Sequence, residues 1–385
     1  MGERGLLGPA DVSDAALAAM VRDRLGVADV DVLSCDVSVA DYDLEALTTA
    51  GRYWVRGTAR HAGGDSPYAF FVKVVQSWTR TAQFQQVPEP MREVAAAGLP
   101  WRTEPLVYRS DLRDRLPAGL TMARAYAVVD IDELSAGLWL EPVQVDPAPW
   151  SLSRFERAAY LLGRLAASPT VRPVAAVANR GVVRSYVHGR VEHQILPTLR
   201  SDDLWRHPLV AAGFGPELRD RLLAAADSLP ALTAELDDAP LGIAHGDASP
   251  HNLLTSRGAD EDLVLIDFGF FSEAPLGFDL SQLLLGQVQV GTRPAAELPA
   301  LEEACLPAYV RGLRDEGCDV SLDVVRRNHA LLMLVFSGLS AVPLEVLFGL
   351  PAPGSAAVVR ERALAATFVL DLLESTAAGR RQPRV

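Results

Sequence analysis

Lysine is almost absent from this chain: of its 36 Lys plus Arg residues only Lys73 is a lysine. That scarcity excludes a P-loop, which needs Gly-x-x-x-x-Gly-Lys followed by Ser or Thr, because Lys73 sits between Val72 and Val74. No Gly-x-Gly-x-x-Gly run opens a strand-to-helix turn, so a dinucleotide-binding domain has no support either. Positive charge is short overall. The net charge is −13 and the pI about 5.0, without the basic footprint of a nucleic-acid partner. An acidic balance steers cationic small molecules and equally serves solubility. Cysteines are few and far apart; Cys35, Cys305 and Cys318 argue against a disulfide framework or a zinc site. Long apolar runs are missing too. The greasiest stretch, 330–350, is broken by Pro343 and Glu345 and reads as a buried helix, not a membrane span. The opening residues carry Glu3, Arg4 and Asp11 and no long apolar segment, so no secretory signal is expected and the expected location is cytoplasmic.

What is present is an ordinary globular composition, 49% hydrophobic and 22% charged, over 385 residues, a length that suits two lobes. The one lysine lies inside Tyr68-Ala-Phe-Phe-Val-Lys-Val-Val75, a strand-like apolar run in which a charge needs a partner. A compact ammonium suits phosphate oxygens better than a guanidinium fork does. The plainer reading is a lysine snorkelling from an edge strand.

The stretch from Gly242 to Asp279 organises the rest. Two short apolar runs, Gly242 to Ala244 and Leu263 to Ile266, each deliver an aspartate, Asp247 and Asp267. Ser249, Pro250, His251 and Asn252 lie between them and favour a turn. A proton acceptor, an amide oxygen and a carboxylate for a hard cation are what phosphoryl transfer needs. Either aspartate turn alone reads as a tight turn after a buried strand; both together, in order and correctly spaced, point to that chemistry.

This stretch resembles the catalytic core of the aminoglycoside phosphotransferase and choline kinase group, small-molecule kinases with the protein-kinase fold. The family pattern is met by His245, Gly246, Asp247 and Asn252, then by Ile266, Asp267, Phe268 and Gly269. The resemblance implies an α+β, two-lobed fold, with an antiparallel-sheet N-terminal lobe over 1–140 and a mainly helical lobe over 141–385. It implies that Asp247 takes the proton of a substrate hydroxyl, that Asn252 and Asp267 hold Mg²⁺, and that Lys73 contacts the phosphates of ATP, with GTP not excluded. It places the lysine's carboxylate partner at Glu93, with Glu89 competing, and a phosphate-covering loop at Thr48, Thr49, Ala50 and Gly51, where a plain hairpin turn is the other reading. Adenine would be bound through backbone groups near Glu141, Pro142 and Val143, where proline offers no N–H. Asp279 is expected to support the catalytic loop, or else to act as a bare helix cap, and His245 to brace the same loop.

Asp279 follows Gly269 by ten positions with no Ala-Pro-Glu between them, and Gly246 stands where protein kinases carry Arg. The expected acceptor is therefore a hydroxylated small molecule, such as an aminoglycoside or another natural product. A kinase of a sugar, choline or homoserine, and a nucleotide-binding pseudokinase, are the alternatives. Glu302, Glu303 and Glu345 are candidates to face a cationic acceptor, or else solvated helix faces. His188 and His193 read as surface or packing residues. No oligomeric state is legible.

Hydrophobic patterning predicts a helix from Val12 to Leu25 capped by Ser13, then strands at Val30–Val39, Asp43–Thr49, Arg52–His61 and Tyr68–Val75. A helix from Pro88 to Leu99 should precede strands at Pro105–Tyr108, Ala125–Asp132 and Gly137–Val143. From Ser151 onward the pattern is helical: Ser151–Ala167, Pro216–Leu236, Ser281–Val290, Ala295–Arg314, Leu322–Val342 and Ala356–Ala378.

Overall fold

A computed structural model describes residues 4–41, 46–145, 148–255, 262–344 and 354–378. The chain forms two compact units that interleave in sequence. The first comprises Met1–Asp114, Thr121–Asp146 and Thr255–Gly269, and the second Arg115–Leu120, Pro147–Leu254 and Phe270–Val385. The single boundary expected after residue 140 therefore differs from the observed division. The first unit runs on to Asp146 and takes back the segment that ends in Asp267-Phe268-Gly269.

The first unit is built on an antiparallel sheet. Strands Asp31–Val32 and Asp36–Val39 both pair with Thr49–His61, which pairs with Gly64–Gln76, then Ser135–Leu140, then Ala125–Asp132. The two long strands turn over Ala62 and Gly63, with His61 opposite Gly64, so the hairpin is tighter than the gap of residues 62–67 between the predicted strands. Strand alternation decides the core: Tyr68, Phe70 and Val72 face Val55, Ala59 and Trp139, and Leu17, Met20 and Val21 of the first helix close over them. Burying each large apolar side chain contributes about 1.5–3 kcal/mol. That helix spans Asp14–Leu25, with the Ser13 hydroxyl accepting from Ala16 N–H and Gly26 ending it at φ 66°. The Trp139 indole donates to Ala10 O at 2.9 Å and ties down the segment before it.

Three expectations change here. The Val30–Val39 run is two short strands around Ser34 and Cys35, because Leu33 and Ser34 both donate to Thr58 O. Gly57 permits this, since a Cβ there would meet Ser34 O at 2.1 Å. Of the strand expected at Asp43–Thr49, residues 43–45 lie outside the described residues, Leu47 and Thr48 form a turn, and Thr49 opens the next strand. Pro105–Tyr108 belongs to a helix, Thr103–Arg109, with Glu104 and Pro105 in its first turn.

The second unit is mainly helical. Ser151 accepts from Arg154 N–H and opens helix Leu152–Ala167. This helix and Leu298–Asp315 approach at backbone distance through a reciprocal pair of glycines. A Cβ on Gly163 would lie 2.1 Å from Tyr309 O, and one on Gly312 2.1 Å from Tyr160 O. The predicted Pro216–Leu236 helix is two, Pro208–Asp227, which bends at Gly215, and Leu229–Asp237. Leu322–Met333 continues as a π-helical segment, Leu334–Gly338, and the last described helix is Ser355–Ala378. Strands Leu241–Ala244 and Ser272–Pro275 pair antiparallel, with Ala244 opposite Ser272. Among the described residues no helix is long and apolar enough to cross a membrane.

Candidate active site

In the first unit Lys73 is buried, so it does not snorkel. Its ammonium donates to Glu104 Oε1 at 3.0 Å and Oε2 at 2.7 Å, and Asp267 Oδ1 lies 3.1 Å away. Burial by itself would depress the lysine pKa; the Glu104 and Asp267 carboxylates outweigh it and raise the pKa above its ordinary value. The side chains of Lys73 and Glu104 are 7% and 4% exposed, whereas that of Asp267 is 39% exposed. Asp267 has φ 62°, a left-handed conformation that costs a non-glycine residue about 1–3 kcal/mol and is characteristic of functional sites. Its neighbour Phe268 is fully buried and packs edge-on against Tyr108, ring centroids 5.7 Å apart. Tyr108 lies one turn beyond Glu104, so the same short helix fixes both carboxylates around the lysine.

The lysine's partner is thus Glu104 and not Glu93. Glu93 lies exposed on helix Arg92–Gly98, and Glu89 is exposed as well. The phosphate-covering loop is also corrected. Thr49 and Gly51 are strand residues opposite Val75 and Val74 with a bulge between them, and only Thr48 remains in a turn. The Tyr53 ring lies over Gly51, where a Cβ would meet it at 2.6–2.8 Å. Glu141 follows the Ser135–Leu140 strand and donates its N–H to Arg124 O at 2.8 Å, while its carboxylate pairs with Arg24 at 3.1 Å. Its amide proton is therefore committed within the sheet. Val143 lies half-buried beyond Pro142.

In the second unit the Leu241–Ala244 strand ends in His245-Gly246-Asp247. Gly246 adopts φ +89°, and a Cβ there would meet Phe270 O at 1.8 Å, so no other residue fits between the strand and the loop that follows it. The loop hangs on Asp279, whose Oδ2 accepts from His245 N–H at 2.8 Å and whose Oδ1 accepts from Gly246 N–H at 2.9 Å. Burial pushes this carboxyl up to about 6; the two N–H donors oppose the shift and the nearby Asp247 charge adds to it. Asp279 does not cap its helix, Phe278–Gln289, because the cap residue is Gly277. Gly277 N–H in turn donates to the Tyr309 hydroxyl at 3.1 Å, and the Gly163–Gly312 helix contact holds that tyrosine in place. His245 is fully buried, and its Nδ1 lies 3.3 Å from Asp247 N.

Asn252 donates through Nδ2 to Asp247 O and to Asp247 Oδ2, both at 2.9 Å. These bonds orient the Asp247 carboxylate and occupy the amide's donor end, so that its Oδ1 is the atom of Asn252 with the chemistry of a hard oxygen ligand. Each of Asn252 and Asp267 carries an oxygen of the kind that Mg²⁺ takes as a ligand. Of the candidate acceptor-facing carboxylates, Glu302 is paired with Arg326 at 3.5 Å, Glu303 is exposed, and Glu345 lies outside the described residues. Glu104, missed in the sequence, had one local signal: the Thr-Glu-Pro opening of a helix.

Residues 137–313 match the phosphotransferase enzyme family. Among solved structures, the fold is similar to that of an aminoglycoside phosphotransferase from Alicyclobacillus acidocaldarius, with a TM-score of 0.52 at 14% identity, covering 89% of this chain and 93% of that one. A spectinomycin phosphotransferase in complex with ADP and spectinomycin gives a TM-score of 0.46 at 12% identity, covering 95% and 99%. A Plasmodium vivax ethanolamine kinase gives 0.45 at 10% identity, covering 89% and 83%. No curated protein matches the chain. The match over residues 137–313, which span His245 to Asp279, is thus to a phosphotransferase enzyme family, and the fold that carries them is protein-kinase-like.

Proposed function

We propose that the protein transfers the γ-phosphate of ATP to a hydroxyl of a small molecule, with an aminoglycoside or another hydroxylated natural product as the acceptor. The observation that carries this reading is the paired state of its polar groups: a lysine kept charged by Glu104 and Asp267, and an Asp247 carboxylate oriented by Asn252 on a loop suspended from Asp279. A pseudokinase has no need of both sets.

In this reading the Lys73 set handles the nucleotide phosphates and the Asp247 set the acceptor. Lys73 draws charge from the phosphates, and Glu104 keeps its ammonium protonated and aimed. Asp267 and Asn252 would hold Mg²⁺, which when bound neutralises the phosphate oxygens and shields the approaching alcohol from their charge. Asp247 aligns the acceptor hydroxyl for in-line attack and accepts its proton. The short link from Gly269 to Asp279 favours a small acceptor over a protein, and inactivation or tailoring of such a compound inside the cell is the proposed role.

A screen of antibiotic and metabolite libraries for products heavier by one phosphoryl group identifies the acceptor. With that acceptor, Asp247→Asn should lower kcat by about 10²–10⁴-fold, with the nucleotide still bound. Near-normal turnover in a folded Asp247→Asn protein would remove the assigned role.

A further inference from the structure

We propose that His188, Glu192 and His193 form a binding site for a borderline-soft divalent metal ion of the zinc type, separate from the phosphotransfer chemistry. The three lie on Val187–Ile195, a nine-residue π-helical segment. In an α-helix, at about 100° per residue, positions five apart diverge by roughly 140°. A π-helix closes its hydrogen-bonded ring on i+5, which returns His193 to the face of His188 with Glu192 beside it. Val187, Val191 and Ile195 are buried and anchor the opposite side, while the three polar residues are exposed.

The geometry is close to that of a metal site. One ligand atom from each residue lies within 4.8 Å of the others, His188 Nδ1 is 3.0 Å from Glu192 Oε2, and the two imidazole centroids are 5.5 Å apart. Zinc bonds to nitrogen and oxygen of about 2.0–2.2 Å put tetrahedral ligand atoms roughly 3.3 Å apart. The His188–Glu192 pair already has that separation, and exposed side chains reach the rest by small torsional changes. Two imidazoles and a carboxylate select zinc-type ions over Mg²⁺, and solvent completes the coordination. Segments of π-helix this long are rare and concentrate at functional sites.

The test is competition for Zn²⁺ between the full-length protein and a chromophoric chelator, with millimolar Mg²⁺ present to saturate the oxygen-donor positions at Asn252 and Asp267. The expected result is one Zn²⁺ per chain at micromolar affinity. The double substitution His188→Asn with His193→Asn should weaken it by about tenfold or more, with circular dichroism unchanged. Glu192→Gln should give a smaller loss, and Zn²⁺ should raise the melting temperature of the parent protein only. If the double variant does not fold, His193→Gln alone carries the same criterion. No binding by the parent protein, or equal binding by the folded variant, overturns the proposal, and neither outcome bears on phosphotransfer.

Discussion

The Lys73–Glu104 pair offers the sharpest quantitative test, because the structure and the sequence pattern name different carboxylates. Glu104→Gln keeps the shape of the side chain and removes its charge. Removing one member of a buried ion pair costs about 3–5 kcal/mol when the survivor is stranded. Here Asp267 remains 3.1 Å from the ammonium and the new amide oxygen still accepts, so the loss falls to that of a charge-assisted hydrogen bond, about 1.5–3 kcal/mol. At about 1.4 kcal/mol per tenfold, nucleotide affinity should weaken by roughly 10–150-fold. Glu93→Gln, on an exposed helix face, should stay within about twofold. Calorimetric titration of Mg²⁺–ATP into both variants, and into Lys73→Met with and without Glu104→Gln, needs no acceptor. In the Lys73→Met background the Glu104 change should have little further effect. The reasoning fails if Glu93→Gln matches Glu104→Gln, or if the Lys73 and Glu104 losses simply multiply.

Asp279 supplies a pH signature. Its carboxyl is raised to about 6, so acidification through that value should weaken its grip on the His245 and Gly246 amides and lower kcat. The fold should survive: the folded pKa exceeds the unfolded one of about 3.9, so between these values the folded state retains a proton the unfolded chain has lost, and this group's contribution to stability declines as pH rises towards 6. A flat kcat profile there, or parallel loss of circular dichroism, contradicts the assignment. Asp279→Asn should flatten that limb and lower the plateau by about 1–3 kcal/mol in activation free energy, because its NH₂ faces an amide donor; a full plateau counts against the suspension of the loop. Gly246→Ala forces a Cβ against Phe270 O at a positive φ and should displace the loop, at about 1–3 kcal/mol for overpacking and 1–2 kcal/mol for the backbone. Chemical denaturation alongside turnover checks this, and an unimpaired alanine enzyme refutes it.

The pairing of Asp247 with Asn252 was legible because the two are neighbours along the chain, five positions apart on one turn, and the structure joins them by two hydrogen bonds. Glu104 was not, because its meaning depends on which helix faces the lysine strand. Pro105-Leu-Val-Tyr108 is an apolar run too short for periodicity to separate strand from helix, and its β-branched and aromatic members tilt the reading to strand. Gly51 misled for a related reason: glycine reads as a turn, yet here it lies under the Tyr53 ring within a paired strand. The antiparallel sheet and the long helices were accessible through alternation and capping, as with Ser13 and Ser151. The π-helical segment was not, since no residue pattern announces a ring closed on i+5. Its histidines looked unrelated because their spacing separates them on an ordinary helix.

The scarcity of lysine has a practical consequence. Apart from its terminal α-amine, the polypeptide offers an acylating reagent one primary amine, and that amine is locked between two carboxylates. Intact-mass spectrometry after labelling then counts molecules whose clasp has opened by a second tag, added to the one that the α-amine takes, without peptide mapping. Titrating nucleotide into the same reaction converts tag yield into an occupancy curve, so the wild-type chain carries its own single-site reporter.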